Sequence, residues 1–193
     1  MFLQVFRARV AEPGPVHESH DRWAGALQGD PGWLGTTAGV TDDGEAFTLA
    51  RFASADAARS PARDAWWSEM SALSTEPVSC QDCGEVITQL HGDSPDAGFV
   101  QVLQGRVADL ERLEHALEIA SPWEADARTD IIGGLLALHG DGHFTQAVYF
   151  TSEAAAREGE ARVTPPPETG EIDALVSELA FYDLRNPWAY APR

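Results

Sequence analysis

The chain has 193 residues, of which 44% are hydrophobic, enough for a packed core in one or two small domains. Its formal charge is −18, so its surface repels a phosphate backbone and no nucleic-acid partner is expected. All 13 basic residues are arginine, and the lack of lysine excludes Schiff-base chemistry, a P-loop and a Ser–Lys nucleophile pair.

The start of the chain, residues 1–7, lacks the basic residues and the long apolar run of a secretory signal peptide. No stretch approaches the roughly 20 apolar residues that a membrane helix needs, so no membrane partner is expected. Two cysteines without an export signal are typical of reduced thiols. We therefore expect a cytoplasmic protein, for which a small-molecule ligand is the remaining class of partner.

The first half of the chain predicts the order β-α-β-β-α-β with one additional helix. The predicted strands are residues 2–10, Trp33–Thr41, Ala46–Ala53 and Val78–Leu90. The predicted helices are about Val16–Gln28, an alanine-rich helix capped by Ser54, and a helix after Pro61 that carries Trp66, Met70 and Leu73. Asp42-Asp43-Gly44 predicts a hairpin turn between the second and third strands.

The second half repeats the first. Residues 141–157 match residues 43–59 at a constant offset of 98 positions, and residues 99–107 match residues 2–10 at an offset of 97. The repeat predicts a polar loop at 158–170, then a short helix that carries Ile172, Leu175, Val176 and Leu179, and a final strand that begins at Phe181. We expect one domain at 1–91, a linker at 92–98 and a second domain at 99–193.

The fold class that follows is α+β, with two tandem ferredoxin-like β-α-β-β-α-β repeats. A four-stranded antiparallel sheet with helices on one face must bury its other face. The expected cover is the sheet of the sister repeat, so that the two pack sheet to sheet as an α/β barrel within one chain. One chain then supplies both halves of the barrel as a pseudo-dimer, so the protein can be a monomer. The alternative is a homodimer.

This order of elements, with strand ends at Arg51-Phe52 and Tyr149-Phe150 and helix starts at Ser54 and Ser152, resembles the dimeric α/β-barrel superfamily. It is most similar to antibiotic-biosynthesis-monooxygenase-like domains, and the resemblance covers nearly the whole chain. It implies a monooxygenase-like enzyme that needs no cofactor and acts on an aromatic or polyketide-like substrate. In such chemistry the deprotonated substrate itself donates electrons to oxygen inside an apolar cavity.

The two glutamines Gln4 and Gln101 hold the same place on the first strand of each repeat. The resemblance implies that this position points into the ligand cavity, and the alternative is an amide that is satisfied by a neighbouring strand. Arg51 and Tyr149 share a strand column, where they are candidates to hold an enolate or a carbonyl of the substrate. Their alternative is a place at the solvated edge of the sheet.

Trp23 and Trp66 are expected to line the cavity, and His20 is the candidate catalytic base because burial shifts the pKa of a histidine. The structural alternative for each is a place in a helix core stripe, where the imidazole is satisfied internally. His20 corresponds to Leu117 in the second repeat, so only the first repeat carries an imidazole there. Cys80 and Cys83 form a CxxC without a second pair, which predicts small apolar strand residues rather than a metal site.

Two other functions stay open. Heme-degrading relatives combine a first-strand asparagine, a tryptophan and a helix histidine, whereas here Gln4 and Trp66 take the first two places and no histidine lies between Trp67 and Leu90. No cofactor is therefore expected, with heme binding through His20 or His91 as an alternative. The other alternative is a non-catalytic barrel that its own phenylalanines fill.

Overall fold

Two five-stranded sheets carry the fold in the computed structural model, which describes residues 1–90, 92, 95–162 and 170–193. The chain divides into two units: Met1–Val86 together with Leu184–Arg193, and Ile87–Asp183. The predicted α+β class is confirmed, since each sheet is accompanied by helices. No helix in the described residues is long and apolar enough to cross a membrane.

The first sheet is an antiparallel sheet in the order β10-β2-β3-β1-β4. Its strands are β1 Phe2–Arg9, β2 Trp33–Val40, β3 Glu45–Phe52, β4 Ser79–Cys83 and β10 Trp188–Tyr190. Two helices accompany it, α1 Pro13–Leu27 and α2 Pro61–Leu73. The proline at the start of each helix costs no hydrogen bond, because the first amides of a helix have no partner within it.

The second sheet has the order β5-β7-β8-β6-β9. Its strands are β5 Glu85–Gln89, β6 Phe99–Val107, β7 Ile131–Leu138, β8 His143–Phe150 and β9 Val176–Leu184. The helices of this part are α3 Leu110–Ala127, α4 Glu153–Arg162 and α5 Gly170–Leu175. The core of each repeat therefore follows the predicted order, although each sheet has five strands rather than the four that we expected.

The extra strand of each sheet follows from the segments after the repeated core. The predicted strand Val78–Leu90 is in fact two strands, β4 in the first sheet and β5 in the second, with Gly84 between them. The predicted final helix is also shorter, because α5 ends at Leu175 and β9 begins at Val176. Each sheet is open, with a different strand at each edge, and closure of the two sheets into a barrel stays a prediction.

The helix expected after Ser54 is wrong for the first repeat and correct for the second. The Ser54 hydroxyl accepts a hydrogen bond from the Ala57 amide at 3.2 Å, but the chain makes only turns until α2 begins at Pro61. Proline disfavours a helical conformation of the residue before it, so the alanine-rich segment has too few residues for a stable helix. In the second repeat Gly159 takes the place of Pro61, and Ser152 caps α4, which extends into the predicted polar loop as far as Arg162. The rest of that loop, 163–169, and part of the predicted linker lie outside the described residues.

The central strands of the first sheet are buried on both faces. Every residue of β3 is buried, and so are five of the eight residues of β1. Phe6 and Ala8 of β1 pack in one cluster with α1 and α2, so even-numbered residues of this strand face the helices. Leu3 and Val5 lie on the opposite face, which we call the second face, and are at most 2% exposed. Alternation therefore assigns each strand residue to one of two separate environments.

The two hairpin turns offer a matched test of the repeat. Gly44 and Gly142 have φ of +87° and +82°, which only glycine adopts at little cost. A β-carbon on Gly44 would lie 2.7 Å from the Val10 carbonyl oxygen, whereas one on Gly142 would lie 3.6 Å from that of Val107.

We predict that Gly142→Ala lowers the free energy of unfolding by about 1 kcal/mol, from backbone strain alone. Gly44→Ala should cost about 1–2 kcal/mol more, because the rigid Val10 backbone must also move. Urea denaturation followed by circular dichroism measures both losses against the unchanged protein. Equal losses would contradict the role assigned to the close approach at Gly44.

Candidate functional site

An aromatic cluster lies between the first sheet and its helices. It consists of Phe6 on β1, His20 and Trp23 on α1, and Trp66 on α2. The rings of Trp23 and Trp66 are stacked with their centroids 4.2 Å apart, and Phe6 meets Trp66 edge-on at 4.8 Å. The His20 ring lies 5.2 Å from that of Trp66. His20, Trp23 and Trp66 are 1–3% exposed, as expected for residues of a helix core stripe, and their roles in a ligand cavity stay predictions.

His20 is held in a defined orientation by two hydrogen bonds. Its Nδ1 lies 2.8 Å from the Val16 carbonyl oxygen, one helical turn earlier, and its Nε2 lies 2.7 Å from the Thr48 hydroxyl on β3. A carbonyl only accepts, so Nδ1 carries the proton, and Nε2 of the neutral ring accepts from Thr48. Burial lowers the pKa of His20 from its ordinary 6.5 to about 4. The imidazole is therefore neutral at neutral pH.

The buried polar atoms without a hydrogen-bond partner in the described part of the chain include the indole nitrogens of Trp23 and Trp66, which belong to the aromatic cluster. They also include Gln4 Oε1, on the helix-facing side of β1, and Ser19 Oγ, on α1. The residues that carry them are no more than 3% exposed. The large majority of buried side-chain polar atoms in native proteins are paired, so these exceptions need an explanation.

Each predicted glutamine pairs with an aspartate on the neighbouring strand. Gln4 Nε2 donates to Asp82 Oδ1 at 2.8 Å, and Gln101 Nε2 donates to Asp183 Oδ1 at 3.0 Å. Gln4 lies on the helix-facing side of β1, with Phe6, and not on the second face that we expected to line a cavity between the sheets. In the second repeat, Asp183 also accepts from Arg157 on α4.

The structure does not bring all of the predicted site residues together. Arg51 pairs with Leu3, so it belongs to the second face, where its guanidinium occupies the space that a side chain at Gly35 would fill. Tyr149 is fully buried in the second unit, on β8. Neither residue is at the solvated edge of a sheet, so the alternative that Arg51 and Tyr149 are solvent-exposed edge residues is wrong. The aromatic cluster thus has Gln4 beside it, whereas Arg51 is separated from it by the sheet.

The cysteines and histidines of the described residues are not grouped as metal ligands. Burial raises the pKa of the Cys80 thiol to about 11 and that of Cys83 to about 12, so neither is a ready thiolate. Among the described residues, no group of three or more His, Cys, Asp or Glu is placed to hold a metal ion. The Nδ1 bond of His20 to a backbone carbonyl is usual for a ligand histidine, but Nε2, the nitrogen that would bind iron, is hydrogen-bonded to Thr48. His91 lies outside the described residues.

Sequence reasoning missed Ser19, Thr48 and Trp188. Thr48 corresponds to Gln146 in the second repeat, so a comparison of the inward polar residues of the two repeats would have found the threonine. Ser19 lies in the α1 stripe. Trp188 follows the last repeated strand and has no counterpart in the first repeat. Its ring stacks on His17 at 4.3 Å and lies 5.5 Å from the His20 ring. This contact arises because β10 pairs with β2 of the first sheet.

No protein-family profile and no curated protein matches the sequence, but solved structures match the fold. A protein of Lactobacillus acidophilus NCFM that is assigned as a monooxygenase gives a TM-score of 0.70 at 15% identity, covering 98% of this chain and 97% of that chain. An anthrone oxidase-like protein gives 0.60 at 13% identity, covering 98% and 93%.

A ferredoxin-fold protein of Listeria monocytogenes 4b F2365, related to antibiotic biosynthesis monooxygenases, gives a TM-score of 0.51 at 10% identity. It covers 100% of this chain and 95% of that chain. The chain therefore has the fold of the antibiotic-biosynthesis-monooxygenase-like proteins over nearly its whole length, which confirms the predicted resemblance.

The lowered pKa of His20 predicts how stability depends on pH. The unfolded chain binds a proton near pH 6.5 and the folded chain only near pH 4, so acid favours unfolding. The contribution of His20 to the free energy of unfolding should be fully present above about pH 6.5. It should be lost as the pH falls to about 4, which lowers the free energy of unfolding by about 3 kcal/mol in total.

We expect His20→Gln to remove this part of the pH dependence of urea unfolding between pH 7 and 4. His115→Gln, which changes an exposed histidine on α3, is the matched control and should leave the slope unchanged. If the His20 variant kept the full slope, other groups would be its source.

Proposed function

We propose that the first unit binds a small aromatic molecule between its sheet and its helices, and that the protein is a cofactor-independent oxygenase. The observation that carries the proposal is a set of four unpaired polar atoms in the first unit, of which the two indole nitrogens belong to the aromatic cluster. Two of them are indole N–H donors, one is an amide oxygen and one is a hydroxyl. A planar molecule with a carbonyl or enolate oxygen supplies an acceptor for the indoles, and its ring matches the surrounding aromatic faces.

The proposed substrate has a CH₂ group that is activated by a neighbouring carbonyl and aromatic ring, as in anthrone. Loss of one proton gives an enolate, which transfers electrons to molecular oxygen and forms a new C–O bond. Loss of water from the resulting hydroperoxide leaves a carbonyl. The balance is CH₂ + O₂ → C=O + H₂O, in which the substrate is oxidised and oxygen is reduced. The likeness to an anthrone oxidase-like protein is in fold, and it suggests this substrate class.

His20 is the proposed base, because it is neutral at neutral pH and lies within the aromatic cluster. The Thr48 hydroxyl donates to Nε2, so the substrate proton reaches His20 through Thr48 or after that hydroxyl has turned away. An imidazole with a pKa of about 4 is a weak base on its own. An enolate bound beside it favours the imidazolium and raises the pKa, so the substrate itself strengthens the base.

Gln4, Trp23 and Trp66 are the proposed binding residues. The amide nitrogen of Gln4 is committed to Asp82, which fixes the direction of Oε1 and leaves that oxygen to accept from a ligand hydroxyl or a water. The proposed roles of Gln101, Arg51 and Tyr149 in substrate binding stay predictions. They would belong to a cavity elsewhere, because Arg51 lies on the second face and the other two lie in the second unit.

The alternative function is a non-catalytic protein whose interior is filled by its own side chains. The stacked rings of Trp23 and Trp66 favour it, since they already occupy the centre of the cluster. The glutamine–aspartate pair also favours it, because the same pair is present in both repeats and so has a structural use. Binding experiments separate the two functions.

The proposed function is tested with anthrone as the probe, by equilibrium dialysis under nitrogen for binding and by oxygen uptake above the protein-free rate for turnover. Trp66→Phe should weaken binding about tenfold, because it removes one N–H donor and keeps a ring. Trp67→Phe, at the next position of α2, is the matched control and should bind like the unchanged protein. His20→Gln should lower kcat about 100-fold with little change in binding.

Each result decides between the two functions. Binding without oxygen uptake would leave a ligand-binding protein and remove the oxygenase. No binding of anthrone up to its solubility limit, with equal behaviour of both tryptophan variants, would favour the filled interior. Equal weakening by the Trp66 and Trp67 variants would place the ligand outside the aromatic cluster.

A further inference from the structure

An open pocket of about 400 Å³ lies in the first unit, within the size range of small-molecule sites. Three segments line it: the first turns of α1, the turn between β2 and β3, and the residues that lead into β10. Its walls include Pro13, His17, Thr41, Asp42, Arg185 and Trp188. The pocket mixes charged groups with apolar and aromatic surface, as ligand sites commonly do.

Trp188 is the wall that the open pocket shares with the aromatic cluster. One side of the residue lines the pocket, where its ring stacks on His17 at 4.3 Å with an angle of 7° between the planes. The same ring lies 5.5 Å from the ring of His20. His17 and His20 are almost one helical turn apart on α1, so Trp188 spans the distance between a half-exposed imidazole and a buried one.

Trp188 packs only partly buried against the core, and the other contacts of its segment are short or exposed. We refer to residues 185–193 as the strap, which begins after the fully buried Leu184. Its only strand, β10, has three residues and pairs with β2 at the edge of the sheet. The Tyr190 hydroxyl donates to Asp21 at 2.9 Å, and Arg185 pairs with Asp42, both in exposed positions. Short edge strands and exposed pairs contribute little each, so the strap has low local stability.

We propose that the open pocket is the outer part of the ligand site and that a planar aromatic ligand reaches His20 by displacing Trp188 from His17. The inference rests on the proposed function for the identity of the ligand. The ligand class follows from the contact it replaces, since a flat ring can take the place of the indole against the imidazole. Trp188 is thus a gate and a positioning residue, and size selection occurs at the pocket rather than at His20.

The gate is tested first without any ligand. Diethyl pyrocarbonate carbethoxylates accessible neutral imidazoles, and mass spectrometry of peptides reports each histidine separately. In the unchanged protein His20 should react far more slowly than the exposed His115. Trp188→Ala should raise the His20 rate at least tenfold, and Tyr190→Phe, which removes the bond to Asp21, should raise it by a smaller factor. Trp67→Ala, which removes another partly buried indole of the same unit, is the control for general destabilisation.

Trp188→Phe covers the case in which the alanine variant fails to fold, because it keeps a ring but covers less of His20. It should give an intermediate rate. The proposal is overturned if the folded Trp188 variants leave the His20 rate unchanged, or if Trp67→Ala raises that rate as much as Trp188→Ala does.

A second measurement separates the gate from the proposed function. Stopped-flow association of anthrone under nitrogen should be at least threefold faster with Trp188→Ala than with the unchanged protein. Increased labelling of His20 without anthrone binding would support the gate and count against the function proposed for this ligand. Anthrone binding at an unchanged rate in both Trp188 variants would support the function and overturn the gate.

Discussion

Burial of the central strands of the first sheet on both faces is the constraint on which the rest of the structure depends. The strand β3 has no exposed residue, so each of its side chains must fit one of two packed environments. Successive residues point to opposite faces, so a shift of register by one residue would move every side chain to the other face of the sheet. Thr48 therefore meets His20 on the helix-facing side, whereas Arg51 is directed to the second face. This alternation places one imidazole among aromatic rings, and the chemistry proposed for the first unit depends on that placement.

The two repeats share a frame but use it differently. Both keep the glycine turn and the glutamine–aspartate pair, which are contacts between strands that any copy of the fold needs. The helix-facing side of the first repeat is aromatic and carries His20, whereas the second repeat has Leu117 in that place. In the second sheet Gln146 replaces Thr48 and donates to Gln89. The duplication has thus left one copy with an internal imidazole and the other with paired amides.

His20 connects stability with the proposed chemistry. Its buried environment holds the ring neutral. The neutral ring does not lower the free energy of unfolding at neutral pH, but it disfavours the folded state in acid, where the unfolded chain binds a proton more readily. The same environment makes the imidazole a weak base until a negative charge is bound beside it. A site of this kind gains base strength only when its ligand is present, and a covering residue such as Trp188 keeps solvent away from it at other times.

The sequence by itself determined the elements that local chemistry controls. The Asp-Gly turns, the α1 stripe of Val16, His20, Trp23 and Leu27, and the order of the repeated core were all predicted correctly, because they depend on φ preference and hydrophobic periodicity. The same reasoning failed at Ser54, where Pro61 ends the segment before a helix can form. It also failed at 78–90, where one apolar stretch is shared between two sheets.

Only the tertiary structure decided which residues meet. The pairing of Gln4 with Asp82, the hydrogen bond of His20 to Thr48 and the approach of Trp188 to α1 join residues 78, 28 and 168 positions apart. No local pattern encodes such contacts, because they depend on strand order and on which face a strand presents. The position of β10 beside β2 is the clearest case, since it brings a tryptophan from beyond the second repeat to the histidine of the first.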